Sequence, residues 1–178
     1  MKRYIQSSVI DTSDLLAFEK LDLALDPNTS SDTLDVLFSD LTWLSEMINH
    51  SNGQDYIDAD NLCVALGEDC NTKSDMLYRL WEATETVAVL HNPNFPVDKL
   101  LEITREHFGD IDDYYQYNIA CNPNATAEIL SLLANAKSKY VRKLVVEHPN
   151  TDGDTLCDLT YDCEDEIATI ASDRLKEL

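Results

Sequence analysis

Apolar residues recur along this chain as pairs one helical turn apart: Leu34 and Leu37, Leu77 and Leu80, Leu100 and Ile103, Leu130 and Leu133, Leu156 and Leu159. Residues at that spacing share one helix face, so each pair predicts a helix with a single buried stripe. Upstream of four of them lies a second apolar pair, Leu23-Ala24, Val89-Leu90, Ile119-Ala120 and Val145-Val146. The two pairs are separated by a polar break, Pro27-Asn28, Pro93-Asn94, Pro123-Asn124 and Pro149-Asn150, with the first leucine or its equivalent seven residues after each proline. Proline removes a backbone donor and disfavours the α conformation at the residue before it, so an arriving helix stops there. Asparagine then tolerates turn conformations. Small polar residues offer N-caps for the next helix at Thr29 to Asp32, Thr126, and Thr151 to Asp154. Pro96 is placed to occupy a first helical turn. Each copy therefore predicts a short helix, a proline turn and a second helix, and neither helix buries its stripe unless neighbouring copies stack.

The prolines at 27, 93, 123 and 149 leave one long gap, and degenerate copies fill it. Asp69 to Leu80 aligns with Asp26 to Leu37, with Cys70 in the place of proline. A weaker copy is centred on His50-Ser51-Asn52, with Met47-Ile48 before it and Ile57 one position early. The marks then fall about two dozen residues apart, within the range of stacked repeats. Residues 51 to 61 are the best loop candidate.

With these residues in place, the chain resembles the variant leucine-rich repeat proteins of bacteria. Val141-Arg142-Lys143-Leu144-Val145-Val146-Glu147-His148-Pro149-Asn150-Thr151, followed by Leu156 and Leu159, is the closest copy of their unit, and Asn92-Pro93-Asn94-Phe95-Pro96 with Leu100 is the next. The resemblance covers residues 20 to 162 and fits poorly over 38 to 68. It implies an all-α, right-handed α-solenoid of stacked helix pairs, alternating α and short 3₁₀ helices, without a β-sheet. Its motif positions are structural, so it transfers no catalytic residues. The expected organisation is one repeat domain over 1–178. Residues 1–20 form an N-terminal cap, 21–162 form five or six repeats that are irregular at 38–68, and 163–178 form a C-terminal cap. Leu15-Leu16 and Ile167, Ile170 and Leu175 supply the apolar faces of those caps.

Charge narrows the function. The chain carries 34 acidic and 13 basic residues, a net charge of −21. That excess opposes direct binding to nucleic acid or an anionic membrane. With 44% hydrophobic residues the chain is apolar enough to fold. The N-terminus lacks a signal-peptide apolar stretch and no run approaches a membrane span, so a cytoplasmic protein with reduced thiols is expected.

The chemistry-bearing residues mostly fall on repeat positions. Cys63, Cys121 and Cys157 lie at or beside apolar positions, where cysteine acts as a small buried hydrophobe. His50 and His148 precede the turn proline or its substitute, which assigns their rings to backbone groups of the turn. No nucleophile motif, phosphate loop, zinc spacing or complete calcium loop is present, so no catalytic, cofactor or metal residues are assigned. The basic island Lys137, Lys139, Arg142 and Lys143 around Tyr140 is expected to neutralise carboxylates of adjacent copies. Trp43 and Trp81 are expected to pack between copies.

What the repeat does not absorb is acid and tyrosine. Asp110, Asp112 and Asp113 precede Tyr114, Tyr115 and Tyr117, of which at least one ring should reach the surface. Asp152, Asp154, Asp158, Asp162, Glu164, Asp165 and Glu166 crowd the C-terminal copy. These are the partner-binding candidates. They point to a non-catalytic acidic repeat protein that docks a protein partner with a basic surface. The alternative is a DNA mimic, of the kind encoded by phages or mobile elements, that inhibits a target by filling its nucleic-acid groove.

Overall fold

The computed structural model describes residues 10–26, 28–50, 54–106 and 113–178. The described residues are all-helical. α1 (Ala17–Leu25), α2 (Ser31–Leu37), α3 (Thr42–His50), α4 (Gln54–Glu68) and α5 (Ser74–Thr84) lead to a 3₁₀ helix, Val87–His91. Then follow α6 (Val97–Glu106), α7 (Asp113–Ala120), α8 (Ala127–Leu133), α9 (Lys139–Glu147), α10 (Gly153–Leu159) and α11 (Asp165–Leu175). Among the described residues, 3₁₀ geometry is confined to Val87–His91, so the expected alternation of α and 3₁₀ helices is corrected to pairs of α-helices with one exception.

The leucine register locates the core. Leu37, Leu77, Leu80, Leu100, Ile103, Leu130, Leu133, Leu156 and Leu159 are buried, as are Val89, Leu90, Ile119, Ala120, Val145 and Val146 upstream of their turns. Helices before the turns pack on one another in order: α4 on the 3₁₀ helix, that helix on α7, α7 on α9, and α9 on α11. Helices after the turns pack likewise, α6 on α8 and α8 on α10. Caps arise where short polar residues were placed: Ser30, Thr126 and Asp152 accept from the amides of Thr33 (3.3 Å), Ile129 (3.4 Å) and Thr155 (2.8 Å).

Asparagine contributes more than turn tolerance. Proline has no N–H, so the carbonyl three residues before it loses its local donor. At Pro93 the next copy supplies one. Asn122 Nδ2 donates to Leu90 O and to Asn92 O, both at 2.8 Å, while its Oδ1 accepts from Asn124 N (2.9 Å). Asn92 Nδ2 reaches back in the same way to Gly67 O (2.7 Å) and Asp69 O (2.9 Å). The second asparagine of each turn adds a parallel rung: Asn94 to Cys70 O (2.7 Å), Asn124 to Pro93 O (2.8 Å) and Asn150 to Pro123 O (3.1 Å). At 148 a histidine takes the place of asparagine. Its Nδ1 accepts from Asn150 N (3.1 Å), so Nε2 carries the proton and donates to Asn122 O (3.0 Å). Arg174 closes the series by donating to Val146 O (2.7 Å) and His148 O (2.8 Å). The turn role expected of His148 is what the structure gives. His50 is exposed, and the turn after it lies outside the described residues.

Other expectations need correction. α4 begins at Gln54, so residues 54–61 are helical and not loop, while 51–53 lie outside the described residues. Ile57 is exposed, and α4 buries Ala59, Leu62 and Cys63. Leu16 is exposed, leaving Leu15 as the apolar contact at that end. Cys63 is buried, and burial pushes its thiol up to about 11. Cys121 and Cys157 are exposed because each neighbours an inward position without occupying it. Trp43 is buried, stacked on Phe38 with its indole N–H donating to Leu37 O (3.1 Å). Trp81 of α5 meets Tyr115 of α7 edge to face at 5.6 Å, a contact between copies.

Candidate partner-binding surface

The cations are largely committed within the molecule. Lys139 lies 3.9 Å from Glu164, Lys143 pairs with Glu166, and Arg142 grips Asp162 through Nε (2.6 Å) and Nη2 (3.0 Å). Arg142 Nη1 also donates to Ala136 O (2.9 Å) and Lys137 O (3.0 Å), tying the loop before its own helix to the loop before the next. The expected neutralisation of the basic island by an adjacent copy is therefore present at Lys139, Arg142 and Lys143. Elsewhere Lys99 pairs with Glu102 (2.8 Å), Lys176 with Asp173 (2.8 Å) and Arg105 with Glu128, while Arg79 donates to Ser39 O.

This pairing divides the acidic candidates. Asp162, Glu164 and Glu166 face internal cations, and the Arg142 guanidinium holds the Asp162 carboxyl below its ordinary 3.8. Asp162 is nearly buried as well, so its assignment to a partner surface is corrected to a structural clamp. Asp152 caps α10, and the bonds from Thr155 lower its carboxyl pKa. Asp113, Asp154, Asp158 and Asp165 are exposed. Asp110 and Asp112 lie outside the described residues.

A row that residue-by-residue reading missed is visible in the same register. Five residues after each turn proline, or after Cys70, stands an exposed carboxylate: Asp32, Asp75, Asp98, Glu128 and Asp154. Each lies in the first turn of the second helix of its copy, where the helix macrodipole favours negative charge. The signal was available in the alignment that located the leucines.

The tyrosines separate by helix face. Tyr115 points inward onto Trp81, which corrects its place among the surface candidates. Tyr114 is 59% exposed and Tyr117 45%. They meet Tyr140, 66% exposed, around a concavity of about 370 Å³ that Asp113 and Ser138 complete. Tyr114 and Tyr140 each stand nine residues before a turn proline, so the register places them side by side on α7 and α9. A second cleft of about 650 Å³ lies between α2 and α5, floored by Leu34, Phe38, Leu66 and Met76. At its rim Lys73 is 4.0 Å from Asp35.

Among the described residues, no three His, Cys, Asp or Glu side chains converge as a metal site, and no helix is long and apolar enough to cross a membrane. No protein-family model, curated protein or solved structure matches the chain.

Proposed function

We propose that the chain is a cytoplasmic, non-catalytic α-solenoid of the variant leucine-rich repeat type, and that it binds a protein partner with a basic surface. The stacked asparagine turns and the two ordered rows of helices support the solenoid. One observation carries the binding role: most of the described cations, though not Lys20 or Lys137, have internal partners, while one carboxylate per copy remains exposed along the second helices. Glu128 is shared with Arg105, but Asp32, Asp75, Asp98 and Asp154 form no ion pair among the described residues. The field outside the molecule is consequently negative and steers a cationic surface toward it.

The spacing of the row favours this reading over the nucleic-acid mimic. Packed helices stand about 8–10 Å apart, whereas each strand of a duplex carries one charge per ~3.4 Å of axis. A row with one carboxylate per helix is sparser than a row of phosphates. The test is to immobilise the chain and a variant with Asp32, Asp75, Asp98 and Asp154 replaced by asparagine. Proteins retained by the native chain should elute as salt rises and should not be retained by the variant. Retention that the replacements leave intact, with the helical circular dichroism unchanged, rejects the role of the row.

A further inference from the structure

Of the features that the proposed binding role leaves unused, the tyrosine concavity has the most distinctive chemistry. Three phenol rings stand on two adjacent helices around a shared hollow, with a carboxylate, Asp113, at its rim. Aromatic faces carry negative potential and attract cations. One such contact already exists, because Lys139 Nζ lies 5.8 Å from the centroid of the Tyr140 ring. That lysine is also 3.9 Å from Glu164, which offsets part of its charge.

We infer that the hollow bounded by Tyr114, Tyr117 and Tyr140 is the anchor site for an arginine side chain of the basic partner, an assignment that rests on the reading of the chain as an acidic binding protein. Arginine fits better than lysine for two physical reasons. Its planar, weakly hydrated guanidinium stacks on phenol rings, whereas an ammonium stays strongly hydrated. Its fork of N–H donors also meets a carboxylate in two parallel bonds, which Asp113 can accept. All three rings are exposed.

The test uses the full chain and a short acetylated, amidated peptide of alternating arginine and glycine, alongside its lysine counterpart, in calorimetric titrations at low salt. The arginine peptide should bind about threefold more tightly than the lysine peptide. The ring resonances of Tyr114, Tyr117 and Tyr140 should shift on addition of the arginine peptide. A Tyr114→Ala/Tyr140→Ala variant should lose the preference for arginine while still binding the lysine peptide. A Tyr114→Phe/Tyr140→Phe variant should keep it, because the ring faces remain. Equal affinities in the native chain, or a preference that survives the alanine variant, overturns the anchor but leaves charge-driven binding standing. Failure of both peptides to bind at low salt overturns the acidic-binder reading together with the anchor.

Discussion

Replacing Asn122 with aspartate exchanges one NH₂ group for oxygen and leaves the size and shape of the side chain almost unchanged. The acceptor that holds Asn124 N would survive, but the donor to Leu90 O and Asn92 O would not. The two carbonyls are not equivalent. Asn92 O keeps the amide of Phe95 at 3.0 Å, so it loses only its second bond. Leu90 O has Pro93 three residues on, which has no N–H to offer, and it would face a carboxylate across a buried contact. Two lost bonds at ~1 kcal/mol each, plus a buried acceptor left unsatisfied, give about 3 kcal/mol. With a urea slope of about 2 kcal/mol/M, the unfolding midpoint should fall by about 1.5 M.

The pH dependence provides a second check. In the folded variant the new carboxyl would be buried against carbonyl oxygens, which raises its pKa above the ordinary value of about 3.9. The folded state then binds the proton more tightly than the unfolded one. The deficit is smallest at low pH and grows as pH rises through the folded pKa. Urea titrations of the two chains followed by circular dichroism should converge on acidification. Asn135→Asp is the control: its amide meets Ser131 O at 3.1 Å on an exposed surface, and the change should cost less than about 0.5 kcal/mol. A midpoint for Asn122→Asp no lower than that of the control would refute the claim that the turns hold the copies together.

Four further changes probe other joints. Arg174→Met should free Val146 O and His148 O and weaken the last helix by about 1–3 kcal/mol, read as faster hydrogen exchange in α11. Gly67→Ala would place a methyl group 3.0 Å from Val89 N and 3.1 Å from Ala88 C, both backbone, so a loss of about 1–3 kcal/mol is expected in thermal unfolding. At Gly153 the nearest atom is the flexible Leu178 Cδ1 at 3.6 Å, and Gly153→Ala should be neutral or mildly stabilising. Asp162→Asn should destabilise the protein at neutral pH by breaking the Arg142 clamp. Because the folded carboxyl pKa lies below 3.8, the native clamp contributes fully above that value and is lost as pH falls through the folded pKa, so the two stability curves should approach one another in acid.

The fold was legible where one residue's neighbours in sequence are also its neighbours in space. Leucines one turn apart are of this kind, and all of them but the half-buried Leu34 are buried. Contacts between copies were harder to read. Tyr115 belongs to the same register position as Val141 and Ile167, both buried, and that comparison separates it from Tyr114 and Tyr117. Cys121 and Cys157 would have been placed outside by the same test, since their counterparts Glu147 and Ser131 are exposed. The residue before the turn proline was the most informative and the least read. It is asparagine at 92 and 122 and histidine at 148, and each of these donates to the preceding turn. It is aspartate at 26 and 69, where the asparagine two residues on donates to that carboxylate at 2.9 and 3.0 Å. A carboxylate preserves the turn but cannot reach back to another. The choice between an amide and an acid at this one position therefore marks which copies are bonded to the copy before them. By that criterion the bonded array runs from the turn at Asp69 to Arg174, and the α1–α2 unit is attached through α1 against α3 and α4.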